Sequence, residues 1–68
     1  MTNKARELLQ KMASAYDVDH RNDFDSTFYI GFPDAVIREL DIGNYIVKQN
    51  DVTGTIKLTD YGYNEAKK

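Results

Sequence analysis

The chain has 68 residues, room for one small domain over 1–68 and too little for a large core. Its 41% hydrophobic and 29% charged residues are the balance of a globular domain and exclude a disordered segment. The net charge of −2 works against a general affinity for nucleic acid, so a nucleic-acid surface must gather its few cations on one face.

Residues 2 to 16 read as the first helix. Ala5, Leu8, Leu9, Met12, Ala13 and Tyr16 recur at three- and four-residue steps and form one apolar stripe. Thr2 or Asn3 supplies an N-cap oxygen. Glu7 and Lys11 stand at the favourable i, i+4 spacing. Residues 17 to 25 read as a polar connection whose aspartates cap the next element. Residues 24 to 30 support two readings. Thr27 to Ile30 has strong β propensity, yet Phe24 and Phe28 lie one helical turn apart behind Asp23, a candidate cap.

The next helix spans 33 to 42. Pro33 suits a first turn, where its missing donor costs nothing, and Asp34 complements the helix dipole. Val36, Ile37 and Leu40 form the buried face and Ile42 closes it. Gly43 stands where a left-handed stop is expected. A β-hairpin follows, with strands at 45–49 and 54–58. Its turn is Asn50-Asp51-Val52-Thr53-Gly54. Ile46, Ile56 and Leu58 point inward; Lys48 and Lys57 point outward. Thr59 caps a last helix over 60–67, which Gly62 weakens. The fold class is α+β.

No motif carries catalysis. An EF-hand calcium loop needs oxygen ligands at its first, third and fifth positions, glycine at the sixth and a carboxylate at the twelfth. Counting from Asp17 puts Arg21 fifth, Asn22 sixth and Phe28 twelfth. Counting from Asp23 puts Thr27 fifth and Phe28 sixth. Both registers fail. With no cysteine there is no thiolate metal site or disulfide framework, which fits a reducing compartment. His20 is the only histidine and has no matched nucleophile or second ligand. The reading is therefore a protein that is not an enzyme, with no catalytic residue, metal or cofactor. No apolar run approaches the roughly 18 residues of a membrane span, and residues 1 to 10 lack a signal-peptide core. The expected location is the cytoplasm, with no membrane partner.

Leu40-Asp41-Ile42-Gly43-Asn44-Tyr45-Ile46 resembles the end of a winged-helix recognition helix turning into its wing. Ile56-Lys57-Leu58-Thr59-Asp60-Tyr61-Gly62 resembles the Leu-Thr-x-x-Gly end of the wing's second strand, and Ile30-Gly31-Phe32-Pro33 the turn of a helix-turn-helix. The matches cover about residues 24 to 64. They imply a small winged helix-turn-helix domain, similar in size to accessory proteins of phages and mobile elements. The chain departs from the pattern where the second helix belongs, at 24–30, and in the acidic outer side of its 33–42 helix.

The resemblance implies a DNA-binding protein, a small transcriptional regulator, with double-stranded DNA as partner. The early residues of the second helix of such a motif enter the major groove, here Asp34, Ala35 and Arg38. The DNA-binding set is Arg38, Lys48, Gln49, Asn50, Thr53 and Lys57. Lys4, Arg6 and Lys11 add phosphate contacts from the first helix. So few contacts give weak, salt-sensitive binding, and a two-fold homodimer is the natural remedy. The alternative is an acidic protein–protein interaction module on the same fold. Asp17, Asp19, Asp23, Asp25, Glu39, Asp41 and Asp60 would meet a basic surface of a partner protein, with Tyr29, Tyr45, Tyr61 and Tyr63 as amphipathic contacts.

Overall fold

A computed structural model describes residues 1–50 and 52–68. The elements follow in the order α1 (Asn3–Asp19), β1 (Asp23–Phe24), α2 (Asp34–Ile42), β2 (Ile46–Asn50), β3 (Thr55–Leu58) and α3 (Asp60–Ala66). The strands form one antiparallel sheet in the order β1-β3-β2. Phe24, Ile46, Ile56 and Leu58 meet the stripe Ala5, Leu8, Leu9, Met12 and Ala13 of α1 in a single core. Val36, Ile37 and Leu40 of α2 and Ala66 of α3 complete it.

Helix α1 begins as its sequence predicts, with the Thr2 hydroxyl accepting from the Ala5 amide at 3.3 Å. It runs past the expected end at residue 16. It stops where His20 turns left-handed at φ 55° and donates its amide to Tyr16 O. Tyr16, placed by its spacing on the buried stripe, is exposed and meets the Tyr63 ring edge-on. Glu7 lies 3.5 Å from Lys4, not against Lys11. Lys11 instead donates to Phe28 O at 3.0 Å and lies over the Phe28 ring.

The two readings of 24–30 resolve into neither a helix nor a full strand. Phe24 is wholly buried opposite Ile56 in the two-residue β1, and residues 26–31 form successive turns. Asp25, not Asp23, supplies the local cap. Its carboxylate accepts from the Thr27 hydroxyl at 2.6 Å and the Phe28 amide at 3.3 Å, a geometry that competes with a helix for the same donors. Phe24 and Phe28 still meet, at 4.4 Å between ring centroids. Their spacing records this contact and not a helical turn.

In α2 the residue Pro33 is the N-cap itself, with extended backbone. Ile42 does not close the buried face and is 75% exposed. At about 100° per residue it stands about 200° round the helix from Leu40. Gly43 is not left-handed (φ −78°); that conformation falls to Asn44, at φ 63°, which an asparagine tolerates. The hairpin strands are offset by one residue from the expected 45–49 and slightly shortened from 54–58. A bulge lies between Lys48 and Asn50. The Asn50 side-chain oxygen accepts the Val52 and Thr53 amides, and its carbonyl accepts the Gly54 amide at 2.8 Å. Asp51, the second residue of the expected turn, lies outside the described residues.

Gly62 is required in α3 and is more than a weak point. A β-carbon there would stand 2.1 Å from Tyr45 O. The Thr59 hydroxyl caps the helix by accepting the Gly62 amide at 2.9 Å, and it reaches the carbonyls of Asn44 and Tyr45. The Leu58-Thr59-x-x-Gly62 spacing thus docks the start of α3 onto the chain entering β2.

Candidate functional site

A concavity of about 250 Å³ lies between α2 and the β2–β3 hairpin. Its floor is Ile37 and Ile56, both nearly buried. One turn of α2 sets Asp34 and Arg38 on its edge, because they are i and i+4 on one helical face. Strand alternation supplies Lys48. Opposite Ile56 and two residues from buried Ile46, it shares their side of the sheet yet lies beyond the core. Asn50 and Thr55 close the hairpin end, and Tyr29 forms the wall contributed by the 25–33 segment.

Three of the six residues expected to bind DNA, Arg38, Lys48 and Asn50, therefore meet at one groove. The others do not line it. Lys57 is the partner of Val47 on one side and Asp23 on the other, which puts it on the outer face of the sheet, one residue out of phase with Ile56. The expectation that both hairpin lysines serve one surface fails on this parity. Gln49 is exposed at the bulge. The Thr53 hydroxyl bonds that of Thr55 at 2.7 Å. The side-chain oxygen of Asn50 is committed to the turn, so its amide nitrogen is what it offers to the groove. Of the cations expected to help from α1, Lys4 pairs with Glu7 and Lys11 is held at Phe28.

Among the described residues, Arg38 and Lys48 have no hydrogen-bond or ion-pair partner. Asp34 is the one described carboxylate of the groove lining. Among the described residues, its lining carries two positive charges and one negative in a chain that is negative overall. Two uncommitted cations on facing elements can accept an anion between them. Tyr29 was legible only as an amphipathic contact residue. The sign that it meets the hairpin is Gly54, whose lack of a side chain leaves room for its hydroxyl.

The other polar cluster is a clasp between helices. Tyr63 Oη donates to Asp17 Oδ1 at 2.5 Å, and Lys67 Nζ bonds Asp17 Oδ2. These bonds, first that from Lys67 and then that from Tyr63, hold the Asp17 carboxyl below its ordinary range. The same carboxylate raises Tyr63 and Lys67. A smaller hollow of about 150 Å³ lies beside it, between Tyr16, Asn22 and Tyr63. At the N-terminus, the Glu39 carboxylate accepts the Thr2 amide at 2.8 Å and its hydroxyl at 3.0 Å, and these bonds lower its pKa.

Among the described residues no three metal-ligating side chains gather, and no helix is long and apolar enough to cross a membrane. Comparison with models of protein families, with curated proteins and with solved structures found no match.

Proposed function

We propose that the chain is a small winged-helix DNA-binding protein, a transcriptional regulator whose hairpin is the wing. The observation that carries this reading is the groove where uncommitted Arg38 and Lys48 face one another from α2 and the hairpin. The order α1-β1-α2-β2-β3, with β1 against β3, supports it. Turns at 26–31 take the place of the usual middle helix.

In this reading α2 approaches the major groove with Ala35 and Arg38 outward, and Arg38 pairs with guanine. Lys48 holds a phosphate, with Gln49 and the Asn50 amide beside it. Lys57 leaves the set because it faces the other way. Asp34 opposes phosphate and accepts a hydrogen bond from a cytosine amino group. Lys48 alone holds a phosphate in each copy, so log K should fall against log salt with a slope of only about −1 per copy. Useful affinity then calls for two copies on two half-sites.

The test is fluorescence anisotropy of a labelled mixed-sequence duplex, read at low and at moderate salt. Saturable binding at low salt that weakens with this slope is the expected result. No binding at low salt refutes the reading. The second reading, an acidic module for a basic partner protein, draws on Asp19, Asp23 and Asp60. These are exposed and free of ion pairs among the described residues. Under it, the chain ignores duplex DNA and is retained by a basic partner in a salt-sensitive way.

A further inference from the structure

The turns at 26–31 leave open what this segment does in place of a helix, and its contacts answer. It is fixed from below. Lys11 of α1 donates to Phe28 O, Phe28 packs at a tilt against buried Phe24, and Asp25 ties the first turn. From that base the Tyr29 hydroxyl donates to Gly54 O at the end of the hairpin turn. The fit is close. A β-carbon at Gly54 would stand 2.7 Å from Tyr29 Oη and 3.4 Å from Ser26 Cβ.

The hairpin has a natural hinge, the bulge between Lys48 and Asn50, where the ladder is interrupted and the strand bends. Beyond it, the turn is held by its own Asn50 bonds, which fix its shape but not its position relative to α2. The bond from Tyr29 supplies that position. It also lies in the wall of the groove that Arg38 and Asn50 share, so it sets how far the hairpin tip stands from Arg38.

We propose that Tyr29 is a positioning residue that latches the hairpin tip through the Gly54 carbonyl and so sets the gap between Arg38 and Asn50 to which an anionic backbone must fit. For DNA this rests on the function proposed above; the latch itself does not. A chain that lost the middle helix would keep, in this one hydroxyl, the support that its wing needs. The bond is local and leaves no charge behind, so its loss loosens the hairpin and spares the core.

The experiment compares the unaltered chain with Tyr29→Phe, which keeps the ring and removes the hydroxyl. Amide hydrogen exchange at Gly54, whose N–H is the turn's own bond to Asn50, is expected to speed up roughly five- to tenfold, the effect of losing about one hydrogen bond's net stabilisation. Exchange at Leu8 and Leu9 in α1 stays unchanged. Duplex affinity falls about fivefold, while the salt slope stays the same because no phosphate contact is removed. Unchanged exchange at Gly54 overturns the latch. A slope reduced by about one overturns the positioning role, since Tyr29 would then act on phosphate contacts directly. If Tyr29→Phe does not fold, the unaltered chain decides. A slowly exchanging Tyr29 hydroxyl proton with a cross-peak to the Gly54 α-protons is expected, and its absence overturns the proposal. Failure of the unaltered chain to bind duplex refutes the DNA reading alone, and the Gly54 exchange rate then settles the latch independently.

Discussion

A single missing methyl group holds the start of α3 against the chain. At Gly62 a side chain of any size meets the Tyr45 carbonyl, 2.1 Å away from where its β-carbon would be. The obstacle is backbone that is itself bonded to Thr59, so it cannot swing aside as a side chain would. Gly62→Ala should therefore destabilise the domain by about 2 kcal/mol, within the usual range for overpacking, although the same change in an open helix stabilises. At this chain length that is a fall in thermal midpoint of about 10 °C, measurable by circular dichroism. Thr59→Ala should cost about 1 to 2 kcal/mol, the loss of a cap, and a midpoint unchanged by either substitution would contradict the docking geometry. The sequence displayed Leu58-Thr59-x-x-Gly62 plainly. It could not display Tyr45 as the reason, because that carbonyl comes from a distant part of the chain. The expected left-handed Gly43 failed in the same way. The sharp reversal was legible, but its φ sign passed to Asn44, since local sequence offers two residues able to take it.

At the level of elements, the helices and hairpin follow the periodicity of their apolar residues. The errors sit where one residue's phase decides. Ile42 is apolar but on the wrong side of α2. Lys48 and Lys57 look equivalent in sequence, yet the pairing of Lys48 with Ile56 and of Lys57 with Val47 puts them on opposite faces. Both are exposed positions on a strand, and only the register separates them. If the chain binds duplex as proposed, Lys48→Gln should weaken that binding and reduce the salt slope by about one. Lys57→Gln should leave that slope unchanged, and equal effects of the two would place the interface elsewhere. The short β1 shows the reverse case, an element too small for periodicity to reveal. Its purpose is to deliver Phe24 to the core, where nothing of the side chain remains exposed. Phe24→Ala should cost about 3 to 5 kcal/mol. A domain of this length has only about 3 to 10 kcal/mol to lose, so the variant should show a strongly lowered urea midpoint or no folded baseline at all.

The molecule as a whole is bound at its periphery by carboxylates. Its core holds no buried charge among the described residues, and three acidic groups make hydrogen-bonded ties outside it. Asp17 ties the end of α1 to α3. Glu39 ties α2 to the N-terminus through Thr2. Asp25 closes the turn that supports Tyr29. Each has its pKa lowered by the hydrogen bonds it accepts, from Lys67 and Tyr63 at Asp17, from Thr2 at Glu39 and from Thr27 at Asp25. The unfolded chain takes up protons at these groups near pH 4, before the folded one does. Their contribution is therefore complete above that range and is lost as pH falls through the lower folded values. Stability should hold level from neutral pH to about 5 and then decline in acid. All three groups are solvent-accessible, so salt should weaken each contribution. Asp17→Asn isolates one of them. It keeps an acceptor for Tyr63 but loses the charge that binds Lys67, so it should be less stable than the unaltered chain at pH 7. The difference should shrink as pH drops below 4, where the unaltered carboxyl is being protonated as well. Urea unfolding of both chains across this pH range measures the convergence. Parallel curves would show that the Asp17 clasp does not contribute to acid sensitivity.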